Sequence, residues 1–320
     1  MMLRPLFGWG SPGGQSARLS ILIFHRVLAQ PDPLFPDEPD QRRFDEVLGW
    51  IGRWFRVLPL DKAVAQLASG TLPARAAAIT FDDGYADNAT QALPVLQRHG
   101  MPATFFIATS FLDGGRMWND TLIESVRHAK DGPVDLTAVG LGDVTLGDVA
   151  SRRALVHALL KQIKYLEPER RMEAVALVQN SLRANLTEQL MMSTAQVRQL
   201  RNAGMQIGAH TCTHPILART PDADVRREIV TSKSTLEAML DEPVSLFAYP
   251  NGKPGDDYLG KHIAMVREAG FAAAVSTAPG ASSAASDPFQ LPRFTPWDRT
   301  GWRYGARLLN NLRSHGPQPA

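Results

Sequence analysis

The segment AAITFDDGYADN, Ala77–Asn88, ends a short apolar run on two adjacent carboxylates, Asp82 and Asp83, followed by Gly84. A continuous apolar run of this length, bounded by turn residues, reads as a buried strand over Ala76–Phe81. Downstream, Asp87–His99 has a helical pattern closed by Gly100, the residue type that accepts a left-handed C-cap. Ala103–Ala108 is apolar again. Strand, helix and strand at this spacing form a βαβ unit, so the sheet is expected to be parallel.

The same rhythm extends in both directions. Upstream, Leu19–Phe24 is a continuous apolar run that stops at His25. Residues 30–40, QPDPLFPDEPD, hold four prolines and four acids and read as a loop. Gln41–Phe55 and Asp61–Ser69 follow as helices, with Asp61 as an N-cap. Downstream, strands are expected at Met205–Ala209, Val244–Ala248, Phe271–Ser276 and Gln290–Phe294. Helices are expected at Thr194–Asn202, Asp222–Leu240, Asp256–Ala269 and Gly301–Leu312. Between residues 113 and 190 the rhythm breaks into the helical stretches Thr121–Lys130, Ser151–Leu166 and Pro168–Ala184, read as an insertion with a solvated basic face. About seven strands alternating with helices point to a closed or nearly closed (β/α) barrel over 19–312. Residues 1–18, rich in Gly, Pro and Ser, are expected to be flexible, and 313–320 form a tail.

The bulk numbers exclude several function classes. The 320 residues are 44% hydrophobic, enough for a sizeable core. A formal charge of +2 gives no basic field for nucleic acid. The single cysteine, Cys212, excludes an internal disulfide and a Cys-rich zinc site. No apolar run approaches the ~20 residues of a membrane helix, and none near the N-terminus has the roughly 7–15 residues of a secretory signal. The expectation is a cytoplasmic protein without a transmembrane segment. Oligomeric state is not readable.

Polar residues recur at strand ends: His25 after the first strand, Asp82 and Asp83 after the second, His210 after a later one and Arg293 in the last. In a parallel barrel these ends share one face, where active sites are built. A lone His-x-x-x-His, as in His210 and His214, is a weak metal signal, and Thr211 stands where a zincin would carry glutamate. With two carboxylates at the same face the signal strengthens. Two imidazoles and one carboxylate suit zinc or another divalent transition metal with positions left open. One aspartate would bind the metal and the other would act as a base, with Arg293 as a second cation between them. Cys212 reads as a small buried residue. His25 is a candidate general acid, because imidazole titrates near neutral pH. Trp118 and Trp297 follow strand-end segments and are candidates for lining a site on the same side.

TFDDG (Thr80–Gly84), HTCTHP (His210–Pro215) and FAYPNG (Phe247–Gly252) resemble, in this order, the three leading motifs of polysaccharide deacetylases, the NodB-homology domain of carbohydrate esterase family four. The resemblance covers roughly residues 19–112 and 191–300. It implies a distorted (β/α) barrel of the NodB-homology type with a helical insertion, and metal-dependent hydrolysis of N-acetyl groups on amino sugars. By position it makes Asp83, His210 and His214 the metal ligands and Asp82 the base, paired with Arg293. A backbone N–H of the Tyr249–Pro250–Asn251 turn would hold the oxyanion. Two features depart from the common pattern: Phe247-Ala248-Tyr249 has no arginine, and no Leu-x-His follows Arg293, His315 lying in a polar tail. ILIFHRV (Ile21–Val27) instead resembles the N-terminal histidine motif of deacetylases acting on poly-N-acetylglucosamine exopolysaccharides, which implies His25 as the acid and a carbohydrate partner bearing N-acetylated amino sugars. Two other functions fit the same scaffold, a hydrolase of non-sugar amides and a non-catalytic carbohydrate-binding protein.

Overall fold

The computed structural model describes residues 3–186 and 189–314. His315 and the rest of the expected tail beyond residue 314 lie outside them. The chain divides into two compact units, Met1–Gln30 with Asp37–Asp113 and Met191–Ala320, and Pro31–Pro36 with Gly114–Leu190.

In chain order the strands are β1 (Leu19–Phe24), β2 (Arg56–Val57), β3 (Ala76–Phe81), β4 (Thr104–Ile107), β5 (Gly132–Asp135), β6 (Asp143–Leu146), β7 (Gln206–Ala209), β8 (Leu246–Ala248) and β9 (Ala273–Val275). In the first unit seven strands form one parallel sheet, ordered β1-β3-β4-β7-β8-β9, with β2 added to the start of β3. Its two edges are joined by the segment expected as the last strand. Leu291 bridges to Val275 and Phe294 to Leu22. Hydrogen bonds from Ser276 N–H to the Leu291 carbonyl (2.9 Å) and from Phe294 N–H to the Ile21 carbonyl (2.7 Å) hold it there. The result is the distorted (β/α) barrel expected from the motifs.

Strand alternation sorts the side chains. Leu19, Ile21, Ala76, Ala78, Phe106, Leu246 and Ala248 belong to one buried cluster, and Leu22, Phe24, Ala77, Ile79, Phe81 and Phe105 to another that includes the surrounding helices. Period-two alternation of this kind is what a sheet covered on both faces produces. Gly208 is required in β7, since a Cβ there would lie 2.5 Å from the Phe106 ring. The register aligns the strand ends. Phe24 pairs with Phe81, Ile107 with Ala209, Ala209 with Phe247, and Ala248 with Val275. The residues that follow therefore emerge at one end of the barrel.

The helix over Gln41–Trp54 starts on Asp40, whose carboxylate accepts the Arg43 N–H at 2.7 Å. The next helix, Leu60–Ala68, corrects the expected cap: Asp61 lies in its first turn, and Gln206 of β7 accepts the Leu60 N–H at 2.8 Å. The segment expected as one helix over Asp87–His99 is a π-helical turn, Asn88–Ala92, followed by Leu93–His99. Gly100 closes it at φ +60. The N-terminus also differs from expectation. Leu3–Gly10 is a helix with Leu3 and Phe7 buried. Phe7 packs on Trp54 and Phe55 with ring centroids 5.4 and 4.7 Å apart, so two apolar side chains one turn apart order a segment whose composition reads as loose.

The second unit packs helices Trp118–His128, Val149–Ile163 and Pro168–Leu182 around Leu122, Val126, Leu159, Ile163, Val175 and Val178. It also contains an antiparallel hairpin, β5–β6, that the helical reading lacked. Arg127 pairs with Asp32 at 2.6 Å and fixes the Pro31–Pro36 segment to this unit. Trp118 opens the first of these helices, with the Arg171 guanidinium 5.4 Å from its ring. Among the described residues no helix is long and apolar enough to cross a membrane.

Candidate active site

Asp83 sits where β3 breaks off. The Gly84 N–H donates to the Asp82 carbonyl at 3.0 Å, closing a three-residue turn with Asp83 at its centre at φ +76. Such γ-turns are strained, and strained residues gather where geometry serves a site. After β7 the loop His210–His214 contains two more left-handed residues, Thr211 (φ +63) and His214 (φ +54). The Thr211 hydroxyl donates to the His210 carbonyl and accepts the His214 N–H at 3.1 Å. Glu228, from the helix Asp222–Leu240, pins this loop from outside, accepting the Cys212 N–H (2.7 Å), the Thr213 N–H (2.8 Å) and the Thr213 hydroxyl (2.7 Å). The Cys212 thiol is directed to the Glu228 carbonyl at 3.5 Å, away from a ligand role.

These turns bring three donors together. Asp83 Oδ1 lies 3.4 Å from His210 Nε2 and 3.4 Å from His214 Nε2. Ligand atoms of all three fall within 4.8 Å of one another. Bonds of about 2.0–2.1 Å to a common tetrahedral ion place neighbouring ligands roughly 3.3 Å apart, close to the spacing seen. His210 Nδ1 is 2.7 Å from the Ala248 carbonyl, to which it donates, so Nε2 is the ring nitrogen turned toward the cluster. The donor set therefore fits a divalent ion. Burial lowers the His214 pKa to about 4, keeping that imidazole neutral. Burial opposes charge on Asp83 too, but the His210 hydrogen bond and the neighbouring imidazoles hold its carboxyl well below the usual range. For His210, burial is outweighed by the Asp83 hydrogen bond and the charges of Asp82 and Asp83, and its pKa is raised.

Asp82 is buried and faces Arg293, itself buried in the closing segment. The guanidinium forks onto both carboxylate oxygens at 2.7 Å, and its Nε donates to the Ser276 carbonyl at 2.7 Å. A second donor from the same fork reaches the Thr80 hydroxyl at 3.2 Å. Planar two-point pairing of this kind is the strong form of an ion pair. Burial works to raise the Asp82 pKa and Arg293 more than offsets it, so the carboxyl is held below its ordinary value and ionised at neutral pH.

His25, partly exposed at the end of β1, adds positive field to both aspartates when protonated. Its backbone is fixed by residues that sequence reasoning missed. Asn88 donates to the His25 carbonyl at 2.9 Å. Asp87 accepts from Arg26 Nε (2.8 Å) and from the Val27 N–H (3.1 Å). Both follow the Asp-Asp-Gly turn by a few residues; only the tertiary contact reveals their partner.

After β8, Tyr249 is buried, its hydroxyl donates to the Phe289 carbonyl at 3.0 Å, and its N–H is bound by the Val275 carbonyl at 3.2 Å. Pro250 has no N–H. Asn251 is the centre of a second γ-turn, at φ +58, closed by Gly252 N–H to the Pro250 carbonyl at 2.6 Å. Its own N–H has no acceptor among the described residues, so of the three expected positions only Asn251 keeps a free backbone donor. Trp297 is 57% exposed, with the Arg307 guanidinium 4.3 Å over one face.

A family model described as polysaccharide deacetylase matches residues 69–137 and 163–274, more than half of the chain. The chain belongs to the polysaccharide deacetylase family. A Bacillus subtilis (strain 168) protein, YxkH, whose name assigns it to the polysaccharide deacetylases, is 21% identical over 279 residues, covering 87% of this chain and 71% of that protein. Among solved structures, the Streptococcus pyogenes deacetylase PplD, in complex with acetate, aligns at TM-score 0.59 and 19% identity over 92% of this chain and 98% of its own. IcaB from Ammonifex degensii aligns at TM-score 0.57 and 17% identity, covering 95% of this chain and 99% of that one. At these identities the structural likeness is one of fold, and it is the same barrel.

Proposed function

We propose that this deacetylase hydrolyses N-acetyl groups from amino-sugar units of a polysaccharide or its precursor, using a divalent ion held by Asp83, His210 and His214. The observation that carries the reading is this trio lying beside a second carboxylate, Asp82, that falls outside it and is paired on both oxygens with Arg293. When bound at the trio, an ion, zinc or a related transition metal, would supply Lewis-acid polarisation of the amide carbonyl and would make a water easier to deprotonate. Asp82 takes the proton from that water as it attacks the acetyl carbon. The Asn251 N–H donates to the oxygen that becomes negative. His25 delivers a proton to the departing sugar nitrogen, so that water and amide become acetate and a free amine.

His25 at the end of β1, with no Leu-x-His after Arg293, favours the exopolysaccharide type of substrate. Trp297 leaves one ring face open for a sugar. The test is acetate release from N-acetylglucosamine oligomers by the purified protein, after chelation and metal re-addition, beside Asp82→Asn. Metal-restored release that falls by at least about 10²-fold in the variant is expected for a lost general base. A metal-replete protein that releases no acetate, or an Asp82→Asn variant as fast as the parent, would overturn the assignment.

A further inference from the structure

The helix Leu3–Gly10 buries Leu3 and Phe7 and turns other apolar side chains outward. Trp9 is 79% exposed and Leu6 50% exposed. Its inner side is closed by the C-terminal helix Gly301–Asn311. A Cβ at Gly305 would lie 2.3 Å from a Leu3 methyl, and one at Gly10 would lie 3.3 Å from Leu312. Among the described residues no element covers the outward side, where Leu6 and Trp9 stand exposed.

One flank of this helix is basic. Arg4 lies on it, and the Arg75 side chain approaches Gly8, one turn on, to 3.9 Å from the position of a Cβ. Arg75 is anchored by a donor to the Trp54 carbonyl at 2.9 Å, and its own carbonyl accepts the Arg56 N–H at 2.7 Å. Among the described residues none of Arg4, Arg56 and Arg75 forms an ion pair with an acid. Burial, together with repulsion from Arg4 and Arg56, lowers the Arg75 pKa, as expected of crowded cations lacking a counter-charge. In a chain whose formal charge is only +2, this is a local concentration of positive charge beside exposed indole and leucine.

We propose that the helix Leu3–Gly10, with Arg4, Arg56 and Arg75, docks this protein on an anionic phospholipid surface. A short helix presenting tryptophan and leucine with arginines at its flank lies in the headgroup plane rather than across the bilayer, the arginines meeting lipid phosphates. The two parts act together, because neither two apolar side chains nor three charges alone hold a protein of this size firmly. The placement also fixes orientation. Arg75 immediately precedes β3 and Arg56 begins β2, so the cluster marks the strand starts, while Asp83 follows the end of β3. The six residues of β3 separate the two by roughly 20 Å. A protein docked by this face turns its catalytic mouth to the solvent, toward a chain in solution rather than toward the lipid beneath it.

The test is co-sedimentation of the full chain with vesicles of phosphatidylcholine alone and with 30% phosphatidylglycerol, at low and at 0.5 M salt. Expected is binding to the anionic vesicles that salt releases, at least tenfold stronger than to phosphatidylcholine alone. Leu6→Ser/Trp9→Ser should weaken it at least tenfold, and Arg4→Glu/Arg56→Glu should remove the preference for anionic lipid. Acetate release from a soluble oligomer should stay unchanged in both variants, which shows that they are folded. Wild type remaining in the supernatant with both vesicles would overturn the proposal. So would a concentration-dependent dimer that Leu6→Ser/Trp9→Ser abolishes, since the face would then pair with a second copy of the chain.

Discussion

Arg293→Met isolates what one buried cation does for this barrel. The guanidinium makes four hydrogen bonds, two of them to Asp82 and the others to the Ser276 carbonyl and the Thr80 hydroxyl. Methionine keeps much of the side-chain volume and removes the charge. Removing one partner of a buried ion pair leaves the other uncompensated, at about 3–5 kcal/mol. For a chain of 320 residues that corresponds to a fall in Tm of about 5–7 °C at pH 7. The sign of the pH dependence separates this from a packing defect. In the parent, Asp82 is held below its unfolded value of about 3.9, so its contribution is present above that pH and disappears as pH falls through the lower folded value. In the variant only His210 and His25 still oppose burial, so the folded pKa of Asp82 is expected to rise above the unfolded one. The ionised carboxylate is then penalised at neutral pH, and the penalty lifts on acidification. The gap between parent and variant should therefore narrow between pH 7 and about pH 4.5, measured by calorimetry at several pH values. Asp82→Asn/Arg293→Met should recover part of the loss at pH 7, because no buried charge remains. A gap that stays constant with pH, or a Tm within about 2 °C of the parent at pH 7, would refute the electrostatic argument.

Three further outcomes follow from the same geometry. His214→Ala and Asp83→Asn should each lower bound metal, read by elemental analysis after dialysis against limiting zinc, whereas Asp82→Asn should retain it. Glu228→Ala removes the acceptor of two backbone N–H groups and one hydroxyl in the Cys212–Thr213 turn, and should cost metal affinity about tenfold or more by loosening both histidines without touching either. Gly208→Ala places a methyl against the Phe106 ring and should destabilise by about 1–3 kcal/mol in urea unfolding, with metal stoichiometry unchanged.

The parallel strands were legible because they are short, largely apolar runs, three of which stop on polar residues, at His25, Asp82 and His210, and barrel topology alone then gathers those ends. The parts that escaped have physical reasons. β2 is two residues long, below any periodic signal. In β5–β6, Val134 and Val144 face each other across a pair otherwise made of Gly132, Pro133, Asp135, Asp143, Thr145 and Leu146, so no apolar run announces a strand. The N-terminal helix hides its two buried residues among Gly and Pro. At the site, residue types and motif resemblance proposed the ion trio, and the structure places Asp83 Oδ1 3.4 Å from each histidine Nε2. Asp87, Asn88 and Glu228 left no trace, since a carboxylate or amide that serves a distant backbone is indistinguishable in sequence from one that faces water. The choice of Asn251 over its two neighbours likewise required knowing which N–H groups the sheet had already taken.

The span Leu291–Phe294 joins the two edges of the sheet and carries Arg293 between its two anchor points. Barrel closure and the charging of Asp82 are thus one event, performed by almost the last part of the domain to be synthesised. During translation the Asp83, His210 and His214 positions are all made before residue 291 leaves the ribosome, and until then Asp82 has no arginine partner. If Asp82 is the base proposed above, a chain caught at that stage would hold the three candidate ligands without the cation that keeps Asp82 ionised, and activity would have to wait for the closing segment.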